Sequence, residues 1–193
     1  MFTKEDQCNM LEQLPEDMFF IILSFLDFKS VLHFKNVCRS NHERIGLVRQ
    51  ISKHCSSMHP TSDYQNQFYC SLKPFSCLSN ISSIITIRAS TKGHDQGWAS
   101  ERGTLSHTWA EIGFVELEGQ QPYHRLEVLR NPRASTTFTK GSHTISSESL
   151  WWKEHRSAIA ADSELGLWAR SKYPEWKCYL DGGLTIDIVY LRQ

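Results

Sequence analysis

His94-Asp95 offers an imidazole beside a carboxylate, the two groups that general acid–base chemistry most often combines. Neighbours on one loop seldom reach the same substrate atom, and no nucleophile stands near them in the chain. Glu111, Glu116 and Glu118 could supply paired carboxylates, but the alternating pattern around them reads as the charged side of a strand. His155 and Asp162 lack a third partner. There is no GxSxG elbow, no phosphate-binding loop and no catalytic-cysteine signature. The six cysteines (Cys8, Cys38, Cys55, Cys70, Cys77 and Cys178) form no CxxC and no zinc-type Cys/His spacing. His54-Cys55 with His59 lacks a fourth ligand. The expectation is a non-catalytic chain without metal or cofactor.

The six tryptophans, Trp98, Trp109, Trp151, Trp152, Trp168 and Trp176, all fall after residue 90. Most serve as core and corner packing, as large amphipathic rings do. Trp98, in HDQGWASERG, and Trp176, in YPEW, lie among turn residues and are the candidates for a recognition surface. Lysine plus arginine equals aspartate plus glutamate at 21 each, so no overall field draws nucleic acid or an anionic membrane. The acidic N-terminus lacks a secretory pattern, and the longest apolar run is under half a membrane span. Reduced thiols in a cytoplasmic or nuclear protein follow as the expectation.

The element that organises the chain is the stretch from Leu14 to Arg39. Pro15 suits the first turn of a helix, and Glu16 and Asp17 suit its positive end. Eight of the nine positions from Met18 to Leu26 are apolar. At about 100° per residue they cover an arc of roughly 200°, about twice what one buried face needs. So small a segment cannot cover both faces from within. The surplus must meet either the rest of the chain or a partner. A second short helix follows with Val31, Leu32 and Phe34, and a third is expected from about Arg39 to His54 with Ile45, Val48 and Ile51 on one face.

Leu14-Pro15, Met18, Ile22, Leu26, Leu32 and Val37-Cys38-Arg39 stand at the spacing of the F-box, which the segment resembles over residues 11–52. The resemblance implies docking on a Skp-family adaptor and, through it, on a cullin scaffold in an SCF-type ubiquitin ligase. It places Leu14, Pro15, Met18, Ile22, Leu26, Leu32, Val37 and Cys38 at that interface. Many F-boxes carry an aromatic two positions after the arginine, where this chain has Asn41.

Residues 57–80 mix turn-formers with scattered aromatics and read as a connector lying against its neighbours. From residue 81 the pattern becomes extended. Ile85, Ile87 and Ala89 alternate with Thr86 and Arg88, and similar alternation recurs around Leu126 and from Leu184 to Tyr190. Asn131-Pro132, Lys140-Gly141 and Asp181-Gly182-Gly183 punctuate the runs, predicting seven or eight antiparallel strands in a sandwich or jelly-roll. Asp95-Gln96-Gly97-Trp98, Thr108-Trp109, Asn131 with Ala134, and Tyr173-Pro174-Glu175-Trp176 are similar to a β-rich module of fungal proteins, some of which carry an F-box in front. That module usually has glycine where this chain has Glu175.

The reading is an α+β chain in two parts. A tail (1–10) and a three-helix F-box (11–56) precede the connector (57–80) and an antiparallel β-sandwich (81–193). The F-box would dock the adaptor and the sandwich would present a client protein. The alternatives are a subunit of a non-ubiquitinating adaptor complex and a lectin-like ligand-binding protein.

Overall fold

The computed structural model describes residues 14–26, 28–37, 39–54, 66–76, 78, 81–96, 105–116, 119–173 and 176–191. Three short helices open it: α1 (Glu16–Phe25), α2 (Phe28–Lys35) and α3 (Arg39–Arg44). Helix α1 begins behind Pro15, whose carbonyl accepts from the Phe19 amide at 3.0 Å. It stops at Leu26, which is extended (φ −81°, ψ 142°).

The third helix is shorter than its sequence predicts. It ends at Arg44, and Ile45 starts strand β1 (Ile45–Lys53) with no loop between. The apolar residues expected along a helix face are β-branched, a class that packs better on a pleated surface. Pairing of β1 with the last strand of the chain, from Ile45↔Leu191 to Lys53↔Leu184, supplies the tertiary contacts that settle the choice.

Seven more strands follow among the described residues: β2 (Asn66–Leu72), β3 (Ile84–Asp95), β4 (Leu105–Glu116), β5 (Gly119–Pro132), β6 (Thr139–Ser146), β7 (Leu165–Ser171) and β8 (Cys178–Leu191). A short helix α4 (Leu150–His155) sits between β6 and β7. The strands form two four-stranded sheets ordered β1-β8-β3-β6 and β2-β7-β4-β5. The pairings nest, with β4 on β5, β3 on β6, β2 on β7 and β1 on β8. A long hairpin rolled into two layers gives this arrangement, which is the jelly-roll. The sandwich therefore draws its first strand from the N-terminal segment and its second from the stretch expected to be a connector. In β2 the residues Tyr69 to Leu72 are all buried, so the strand lacks the alternation that would have marked it.

Ile87, Ala89, Ile186 and Ile188 from one sheet meet Ile112, Phe114, Leu165 and Leu167 from the other in the main core, with Trp152 of α4 closing it. Trp168 points away from Leu165 and Leu167 as alternation requires, yet it is fully buried, edge-on to Phe68 at 5.4 Å. A second, smaller core joins Phe19, Leu23 and Val31 of the helices to Ile45, Ile85 and Val189 on the outer face of the β1–β8–β3 sheet. Register shifts make this possible. They fall between Ile45 and Val48 on β1 and between Ile84 and Thr86 on β3, and such bulges re-aim side chains. Ile85 consequently faces the helices, not the interior it was expected to share with Ile87 and Ala89.

Candidate functional site

Helix α1 uses its two apolar sides differently. Phe19 and Leu23 are buried against the sandwich, whereas Met18 is 46%, Ile21 48% and Phe25 84% exposed. The exposed three recur at steps of three and four residues, one stripe of a helix. Ile22 and Leu26 lie between the two sides and are half-buried. Exposure thus falls steadily around the helix, from the stripe to the seated face. Seating Phe19 fixes the rotation of α1: its ring lies 5.8 Å from Phe34 of α2 and carries the Arg44 guanidinium at 3.8 Å.

Beside the stripe, Leu26, Lys29, Ser30, His33, Phe34 and Val37 line an open hollow of about 490 Å³. Val37 is exposed at its rim. The stripe on α1 and the hollow along α2 form a largely apolar surface, edged by Lys29 and His33. Covering each large side chain on it would contribute about 1.5–3 kcal/mol.

Residues 11–53 match the family model for the F-box domain. The N-terminal segment is an F-box. No curated protein matches the chain. Among solved structures it is similar to one described as "Structure of infectious bursal disease virus Gx strain", at 11% identity and a TM-score of 0.37. That likeness covers 75% of this chain, which spans only 32% of the other.

Of the F-box residues expected at the adaptor interface, Pro15, Met18 and Val37 are exposed, while Leu14, Ile22, Leu26 and Leu32 are half-buried. Cys38 lies outside the described residues. Leu32 turns towards the sandwich, where it lines a cavity with Gln50 and Arg88. Ile21 and Phe25, which the F-box pattern does not single out, share the exposed stripe with Met18 at helical spacing. Asn41, standing where many F-boxes have an aromatic, is fully buried and its amide donates to the Phe34 carbonyl at 3.0 Å. It ties α3 to the end of α2 with a hydrogen bond in place of ring packing.

The far end of the sandwich gathers the second group of motif residues. The Asp95 carboxylate is buried and accepts from the Thr108 hydroxyl at 3.2 Å and the Ala134 amide at 2.9 Å. The Asn131 amide donates to Thr108 Oγ1 at 3.0 Å and to the Cys178 sulfur at 3.3 Å. The Gln96 side chain accepts from the Lys177 amide at 3.1 Å. Strand ends far apart in sequence are thereby knotted together. Ala134 sits at φ 55°, a left-handed conformation that the Asp95 contact helps hold. Trp176 is half-buried over this knot, edge-on to His107 at 4.9 Å, with Arg133 at 5.7 Å and the exposed Tyr173 nearby. Trp98 and Glu175 lie outside the described residues.

Two of the candidates for acid–base chemistry, His94 and Glu111, are engaged in packing and pairing, while Glu118 lies outside the described residues. His94 stacks on Tyr179 at 4.7 Å and its Nδ1 meets the Asp95 backbone carbonyl, not the carboxylate. Glu111 takes the Trp109 indole N–H at 2.6 Å and pairs with Arg170 at 3.2 Å. Burial pushes the Cys178 thiol up to about 12, which keeps it protonated and poorly nucleophilic. Among the described residues no group of three or more His, Cys, Asp or Glu could hold a metal ion.

Proposed function

We propose that this chain is the client-recognition subunit of a Skp adaptor–cullin–F-box ubiquitin ligase. One observation carries the reading. Helix α1 is already seated on the sandwich through Phe19 and Leu23, yet it leaves Met18, Ile21 and Phe25 outside, beside an apolar hollow. Within an F-box, that surplus is the surface an adaptor would cover, with Pro15, Met18 and Val37 in the contact and Leu14, Ile22, Leu26, Leu32 and Cys38 supporting it. The chain itself would be non-catalytic. Its contribution would be proximity, holding a client near a charged ubiquitin carrier borne elsewhere on the complex. A cytoplasmic or nuclear setting goes with that role.

The jelly-roll would present the client, and the loop end with Trp176 is one surface for it. Replacing Leu14 and Pro15 together is expected to abolish co-purification with a Skp adaptor while the sandwich stays folded. Undiminished adaptor binding would refute the interface. An adaptor recovered without any cullin would point to a complex that does not ubiquitinate.

A further inference from the structure

We propose that the outer face of the β1–β8–β3–β6 sheet, beside the F-box helices, is a docking trough for an acidic, extended segment of a protein partner. This deepens the client-recognition reading by naming a surface and a chemistry, and rests on it only in calling that partner a client.

The helices cover one end of this sheet face and leave the rest open. Strand alternation turns Gln50, Thr185, Asp187, Arg88, Ser90 and Lys140 outward while Ile51, Ile186, Ile188, Ile87 and Ala89 go inward. Two adjoining cavities of about 330 and 410 Å³ share Gln50, Ser90, Lys140 and Asp187, and Lys29 and Leu32 of α2 wall the second. The floor bends at Gly182 and Gly183, whose φ values of 77° and 79° only glycine adopts readily. They form part of a register shift opposite Thr91, whose hydroxyl donates to the Gly183 carbonyl at 2.8 Å. Space above Gly182 is open, with nothing within 4 Å of where a side chain would start.

Charge selects the occupant. Lys29, Arg88, Lys92 and Lys140 line the two cavities against Asp181 and Asp187, and Asp187 already accepts from the Gln50 amide at 2.7 Å. Lys92 and Lys140 stand directly opposite each other in the β3–β6 register, an arrangement that like charges disfavour; Lys92 also stands opposite Asp181 on β8, whereas Lys140, on the edge strand, has no carboxylate opposite it. Among the described residues neither forms an ion pair. A carboxylate lying between them would relieve that repulsion.

Shape selects a peptide. Crossing four strands spans roughly 14 Å, the length of about four extended residues. Small-molecule sites are concave and mostly apolar, unlike this open, polar face. A polyphosphate chain would meet the two aspartates, whereas a peptide can offer them backbone N–H groups.

The test uses the full chain bound to its adaptor and a fluorescent twelve-residue peptide rich in glutamate, compared by anisotropy with its glutamine and lysine counterparts. The glutamate peptide is expected to bind at least tenfold tighter than the glutamine peptide and to weaken as salt rises. The Lys92→Glu/Lys140→Glu variant should lose at least tenfold in affinity with adaptor binding unchanged, and Lys140→Gln should lose part of it. Both lysines are exposed, and an unchanged melting curve confirms that the variants fold. Equal binding of glutamate and glutamine peptides, or full affinity in the double variant, would overturn the proposal. So would a sulfated glycan that outcompetes every peptide. Any of these with the adaptor still bound leaves the F-box reading intact, whereas a wild-type chain that binds no adaptor defeats that reading separately.

Discussion

The Gln50 side chain donates to Asp187 at 2.7 Å, joining a strand inside the F-box-matched segment to the last strand of the jelly-roll. Two register positions further on, the hydroxyls of Ser52 and Thr185 lie 3.0 Å apart. The F-box-matched segment and the sandwich are therefore not beads on a string. β1 leaves α3 without a loop and completes the edge of a sheet, so an adaptor bound to α1 would be held at a fixed attitude to the sandwich.

Removing residues 1–80 takes away two of the eight strands found among the described residues. β8 and β7 become open edges, and Tyr69, Cys70, Leu72 and Phe75 leave the core. The fragment 81–193 is expected to aggregate or to melt without cooperativity, while the whole chain shows one cooperative transition. Circular dichroism melting with size-exclusion chromatography checks this. A soluble, cooperatively melting fragment would mean that β1 and β2 are dispensable.

Two neighbours on α1 should separate stability from docking. Leu23→Ala opens a cavity in the small core and is expected to cost about 2–5 kcal/mol, lowering the melting temperature. Phe25→Asp alters a side chain that is 84% exposed and should leave the melting temperature nearly unchanged while weakening adaptor binding at least tenfold. Calorimetry and a pull-down measure the two effects side by side.

His124 and His155 have ring centroids 3.7 Å apart, between β5 and α4, with Trp151 beside His155 and Phe114 beside His124. Burial, and then the charge of His155, hold the His124 imidazole below its ordinary range. The folded chain thus binds protons less readily than the unfolded one as pH falls below the usual histidine range, and stability drops with acid there. The melting temperature should fall between pH 7 and pH 5. His124→Asn tolerates the φ of 55° and should flatten that dependence.

Cys178 gives the opposite slope in alkali. With the folded thiol at about 12 against 9.0 for an ordinary one, the folded state holds the proton more tightly, and stability declines between those values. Near neutrality the thiol should resist iodoacetamide until denaturant is added. Rapid labelling of the native chain at Cys178, read by peptide mass, would contradict its burial.

The two-faced character of α1 could be read from composition alone, because eight apolar residues in nine exceed what one face can use. Which face went where could not. The match of Ile85, Val189 and Ile45 to Phe19 and Leu23 depends on bulges in β1 and β3, and bulges shift a strand's alternation by one residue without a local signature. The same limit hid β2, whose run of buried residues has no period. Asn41 could be seen as a departure from the F-box pattern, but its bond to the Phe34 carbonyl appears only once α2 and α3 are packed together.

By itself the sequence determined the helical opening, the change to extended chain, the turns and the F-box spacing, since these follow from residue type and short-range period. The tertiary structure decided what long-range pairing alone can decide. It turned residues 45–53 into a strand, because β8 offered a ladder that an isolated helix could not match. It nested the eight strands into a jelly-roll, and it left Phe25 facing outward where Phe19, six positions earlier, went in.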